Sequence, residues 1–209
     1  MSALTSPGAD IRNVFRRFVA TEIGELLIVY YARVPFEEAT HAIDARVYFG
    51  TAVLCRSSLE TAFFVFLFGR WESGRFFIDY PRTKTGKKRR VSFEELRKEI
   101  MKAINFPQSA LDAIRRIQEH GNLSAHFGAL RIEGTQGWEQ EVLRENARLL
   151  QNNPTPEKWR QLNERLQRDA KIWVTPTQAL ADLRETAGIL SILFRESVRR
   201  QATSMILLS

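Results

Sequence analysis

The sequence predicts an all-α protein, an up-and-down bundle of about four core helices with extra helices around it. Three observations predict it. Apolar residues recur at steps of three and four through much of the chain. Reciprocal caps stand where such stretches begin, Ser92 with Glu95 and Thr175 with Gln178. Only one long stretch, 69–91, breaks the helical pattern. The 209 residues, 44% hydrophobic, suffice for one domain over 1–209 with a real core.

The elements follow in order. A first helix is expected over 9–33, capped by Asp10 and ended by Pro35, with Phe15, Val19, Ile23, Leu26 and Tyr30 as its inner stripe. A second is expected from Phe36 to about Phe68. Its latter part, Val47 to Phe68, is apolar on almost every side, which suits the centre of a protein or a membrane. Arg56 and Glu60 stand near its middle, four residues apart and so on one face. Each such charge costs about 2.5–3.5 kcal/mol at a bilayer centre. Ser and Thr are frequent in the run as well, so the protein core is the expected place and no membrane partner is expected.

Residues 69–91 carry Gly69, Gly74, Pro81 and Gly86. A short β-hairpin insertion at 71–93 is expected there, pairing Phe76–Tyr80 with Arg90–Phe93 around Lys84-Thr85-Gly86. Ser92 then opens a helix, Phe106-Pro107 turns a corner, and Ser109 caps the next helix, ALDAIRRIQEHGNLSAHFG. Gly134 and Gly137 mark a turn, and helices are expected over 138–151 and 155–171. Thr175 caps the last, with Pro176 at its first position and Leu180, Leu183, Ala187, Leu190 and Phe194 facing inward. The apolar end, TSMILLS, would tuck onto the body or a partner.

The net charge of +7 is concentrated. Arg82, Lys84, Lys87, Lys88, Arg89 and Arg90 fall within nine positions that hold no acid. Such a patch suits phosphates, and Trp71, Phe76, Phe77 and Tyr80 lie just upstream to stack bases. It equally suits an acidic partner protein. The lone cysteine, Cys55, excludes an internal disulfide and reads as a small core residue. With an N-terminus lacking a signal pattern, the chain is expected to be cytoplasmic.

The second chemical landmark is His120-Gly121-Asn122-Leu123-Ser124-Ala125-His126. If the helix continues through Gly121, Asn122 and His126 share a face; Asn122 can orient a ligand and His126 can act as acid or base. If it ends at Gly121, Asn122 caps a new helix and His126 is a core residue. His41, His120 and His126 do not make a zinc pattern, and no metal or cofactor is expected. Nucleophile elbows, phosphate-binding glycine loops and dinucleotide fingerprints are absent from the sequence.

Taken in order, Cys55-Arg56-Ser57-Ser58-Leu59-Glu60, the 120–126 segment and Thr175-Pro176-Thr177-Gln178-Ala179-Leu180 resemble the HEPN superfamily of helical domains, named for higher-eukaryote and prokaryote nucleotide binding. The nearest branch is the bacterial group found beside restriction and defence proteins. The resemblance covers about 40–70 and 108–200, leaving 69–107 as an insertion and 131–172 as an elaboration. It implies a homodimer and an RNA-related role. Catalytic members are metal-independent ribonucleases with an Arg about four to six residues before a His. Asn122 and His126 match that pattern, but positions 119–121 are Glu, His and Gly, and Arg115 and Arg116 lie too far back. The expectation is therefore a module that binds RNA or nucleotide in a prokaryotic defence or toxin–antitoxin setting, catalytically inactive or weak. One alternative is a metal-independent endoribonuclease in which His126, Asn122, Arg56 and Glu60 form the site. Another is a structural protein-interaction domain.

Overall fold

Helix α1 spans Pro7–Phe18 and is capped by Ser6, whose hydroxyl accepts from Ala9 N. Pro7 takes the first helical position, so the cap is Ser6 and not Asp10. The computed structural model describes residues 6–23, 27–72, 75–125, 157 and 174–206. After α1 the chain makes a π-helical turn, Val19–Ile23. Helix α2 is Leu27–Asp44, α3 is Tyr48–Phe68, α4 is Phe93–Ala103, α5 is Gln108–Ala125 and α6 is Pro176–Ile206. Strands β1, Gly69–Glu72, and β2, Arg75–Ile78, form an antiparallel ribbon. The all-α architecture with a short hairpin is therefore the observed one. The expected turn at Gly134 and Gly137, the helices over 138–151 and 155–171, and the end of the chain beyond Ile206 lie outside the described residues.

Several boundaries differ from expectation for physical reasons. The single helix expected over 9–33 is two, because α2 runs back antiparallel along α1: Gly8 N donates to Asp44 Oδ1, Arg12 Nη1 to Thr40 Oγ1 and Arg16 Nε to Glu37 Oε1. Phe15 is accordingly buried at 2% exposure while Tyr30, on the same predicted stripe, is 66% exposed. Pro35 does not end a helix but sits inside α2. A proline there costs about 3 kcal/mol. Burial of Ala32, Phe36 and Ala39 offsets it, and the Ser58 hydroxyl from α3 donates to the Ala32 carbonyl at 2.8 Å.

The helix expected from Phe36 to Phe68 is two helices. Arg46 adopts φ 61°, Val47 N donates to Ala42 O and Arg46 N to Ile43 O. Those two bonds make a Schellman closure with arginine where glycine is usual. The hairpin pairs different residues from those expected: Gly69 with Ile78, Arg70 with Phe77, Trp71 with Phe76 and Glu72 with Arg75. The strand starts directly at the end of α3, where Gly69 N still donates to Val65 O. Gly69 permits this, since a Cβ there would lie 2.6 Å from Phe76 Cζ. Residues 82–88 form a separate small loop closed by a bridge between Arg82 and Lys88.

The expected caps at Ser92 and Thr175 are both present. Ser92 and Glu95 bond reciprocally, as do Thr175 and Gln178. Helix α5 begins two residues early, at Gln108, with the Pro107 carbonyl accepting from Ala110 and Leu111 instead of a Ser109 cap. It then runs unbroken through Gly121 to Ala125.

Helix α3 occupies the centre, packed against α2, α4, α5 and α6. Ala52, Cys55, Leu59, Ala62 and Phe63 are fully buried there. Among the described residues α3 is the one helix long and apolar enough to cross a membrane. Its buried residues in the bundle are Thr51, Ala52, Cys55, Ser58, Leu59, Ala62, Phe63 and Val65.

Candidate functional site

The site is built on α5, which meets α3 on one side and α6 on another. Toward α3 stands Gly121. A Cβ on it would lie 2.5 Å from Arg56 Cβ, 2.7 Å from Arg56 Cδ and 3.1 Å from the Ala52 carbonyl. Only a residue without a side chain lets α5 approach α3 this closely. The glycine lowers helix propensity by about 1 kcal/mol, and the crossing explains why it is there. The segment carrying Asn122 is thereby brought to Arg56. Asn122 itself is half-buried. His126 lies outside the described residues.

Arg56 Nη2 is 3.4 Å from Glu60 Oε2, one turn along α3. Their side chains keep 24% and 34% exposure, so the pair sits at the edge of the bundle and is not sealed within it. The Arg56 guanidinium also lies 5.7 Å from the centroid of Phe93. Its Nε is buried with no acceptor. Ser124, near the end of α5, likewise has a buried hydroxyl with no partner among the described residues, where buried polar groups are normally bonded.

Toward α6 the picture is the opposite. Asp182 is fully buried. Its Oδ2 meets His120 Nδ1 at 2.6 Å and its Oδ1 accepts from Arg116 Nε at 3.3 Å. Arg116 also pairs with Glu185. The carboxylate acts as acceptor, so Nδ1 of His120 carries the hydrogen and Nε2 is left without a partner among the described residues. Thr186 donates to the Asp182 carbonyl at 2.7 Å. Burial, with a smaller contribution from the nearby Asp182 charge, pushes the Cys55 thiol up to about 12 against an opposing hydrogen bond from Thr186. Cys55 is an inert core residue, as expected.

His120, Arg116 and Asp182 were not among the residues expected to form a site. Their signal was present. His120 and Arg116 are four apart on one helix, and Asp182 interrupts the apolar stripe between Ala179 and Leu183. An acid at an inner position requires a cation or donor facing it.

The basic residues Arg82, Lys84, Lys87, Lys88, Arg89 and Arg90 are all exposed. Backbone bonds hold their loop: Thr83 N to Lys87 O, Gly86 N to Thr83 O and Arg89 N to Pro81 O. Among the described residues no cluster of three or more His, Cys, Asp or Glu is placed to hold a metal ion. Fold and site together define an all-α bundle with a close, partly exposed polar crossing of α3 and α5 and an exposed basic loop. No family model, curated protein or solved structure matches the chain.

Proposed function

We propose that the protein is an HEPN-like module that binds RNA or nucleotide, catalytically inactive or weak, and works in a prokaryotic defence or toxin–antitoxin setting. One observation carries the proposal: Gly121 seats Arg56, so the arginine of the first motif meets the glycine of the second. The unsatisfied Arg56 Nε at that crossing supports a bound polar group. The exposed basic loop supports phosphate attraction. The homodimer, the cytoplasmic location and the defence setting enter the proposal from the resemblance alone.

Filter binding of a single-stranded RNA and of a nucleotide at two salt concentrations tests the reading. Salt-sensitive association is expected, and its absence for every ligand overturns it. A metal-free cleavage assay tests the catalytic part. RNA should remain essentially intact; rapid cleavage that His126→Ala abolishes would establish the endoribonuclease alternative.

A purely structural role has one observation in its favour, the internally satisfied Asp182 cluster. It predicts that Arg56→Met with Glu60→Leu leaves ligand binding unchanged. Stability should then shift by no more than about 1 kcal/mol, because the pair is half-exposed.

A further inference from the structure

The six cations of the 82–90 loop are not equivalent. Arg82 donates through Nη1 to the Gly86 carbonyl at 2.9 Å and closes the turn. Arg89 pairs with Glu95 at 2.6 Å and braces the start of α4. The Lys88 ammonium lies 4.3 Å from the Tyr80 ring centroid. The exposed side chains of Lys84, Lys87 and Arg90 have no ion pair, hydrogen bond or ring contact among the described residues. Among the described residues, the acids flanking the loop are already engaged, Asp79 with Arg70, Glu94 with Arg97 and Glu95 with Arg89.

Two exposed aromatics beside the loop already hold cations. Tyr80 has the Lys88 ammonium over its ring and the Phe64 ring centroid 5.7 Å away. Phe77 has the Arg70 guanidinium 5.6 Å from its centroid. Stacking a base needs an open ring face, and anchoring a protein partner needs an apolar or aromatic side chain free to enter a pocket. Residues 82–90 themselves include no aromatic or large apolar side chain. The loop offers donors on a backbone held by its own hydrogen bonds, and phosphate diesters need nothing more.

We propose that this loop grips RNA by its phosphates alone, through Lys84, Lys87 and Arg90, without reading bases. The inference rests on the RNA-binding function proposed for the whole chain. Arg82, Lys88 and Arg89 hold the loop in shape and do not themselves contact the phosphates.

The test is filter binding of the full chain to labelled single-stranded RNA from 50 to 200 mM salt. A mixed sequence, oligo-U and oligo-A serve as probes. Three phosphate contacts at about −0.7 each give a slope of log affinity against log salt near −2 from the loop. The variant carrying Lys84→Gln, Lys87→Gln and Arg90→Gln should lose about 2 units of that slope and about tenfold or more in affinity. These side chains are exposed and unpaired, so the variant should keep the wild-type circular dichroism. The three RNAs should bind alike. If the parent binds no RNA at all, the RNA reading itself falls. If it binds but the triple variant keeps the full slope, the phosphate inference falls alone. It falls in the same way if oligo-U and oligo-A differ by more than about tenfold, or if poly-glutamate competes as well as RNA.

Discussion

The two sides of α5 solve opposite problems. On the α6 side a fully buried carboxylate is answered by two donors, His120 and Arg116. On the α3 side backbone and side chain are pressed together at Gly121, yet Arg56 Nε goes unanswered among the described residues. The contrast separates the source of stability from the place for binding. A satisfied polar cluster locks helices in register, and replacing one member exposes the others. An unsatisfied one stores a demand that a ligand can meet.

The largest effect should come from the satisfied side. Asp182→Ala removes two charge-assisted bonds and leaves a void between α5 and α6, at a cost on the order of 3 kcal/mol. Urea unfolding measures it. Asp182→Asn keeps the shape and should cost clearly less. Equal stability for Asp182→Ala and the parent would show that the α6 side is no lock.

Next comes the crowded side. Gly121→Ala places a methyl group against Arg56 and the Ala52 carbonyl. Overpacking costs about 1–3 kcal/mol, while the gain in helix propensity returns about 1 kcal/mol. A net loss is expected, and Arg56→Ala should rescue part of it because the methyl meets Arg56 Cβ and Cδ. A double-mutant cycle with zero coupling would mean that the two helices do not meet there.

How much of this was legible in the sequence depends on which forces were local. The caps at Ser92 and Thr175 were legible because capping is decided within four residues. The central, apolar α3 was legible from its composition. The break at 45–47 was not: Asp44-Ala45-Arg46 carries no glycine or proline, and only tertiary packing folds α2 back on α3. Pro35 misled for the same reason, since burial of its neighbours outweighs the propensity that normally ends a helix. Of the site, the meeting of Arg56 with Gly121 was foreshadowed by a glycine inside a helical pattern. The partner of His120 was not, because Asp182 is distant in the chain and reads as one more acid on a final helix.

The smallest effect separates buried satisfaction from surface satisfaction. Glu37 lies between Arg16 and Arg33, each 2.7 Å from Oε1, with its own side chain 20% exposed and theirs near half-exposed. The Arg16 hydrogen bond, opposed by burial and reinforced by Arg33, holds the Glu37 carboxyl down at about 2. A depressed carboxyl stabilises the fold above its ordinary value of 4.5, and that contribution is lost as pH falls from there through about 2. Because both cations face solvent, the stabilisation should be only about 1 kcal/mol. Stability measured against pH should therefore fall less steeply between pH 4.5 and 2 in Glu37→Gln than in the parent. High salt should shrink the difference more than it does for the Asp182 cluster, whose carboxylate is fully buried. If salt weakens both equally, the contrast between a solvated pair and a buried lock is lost, and α5 is held to α6 by its apolar contacts instead.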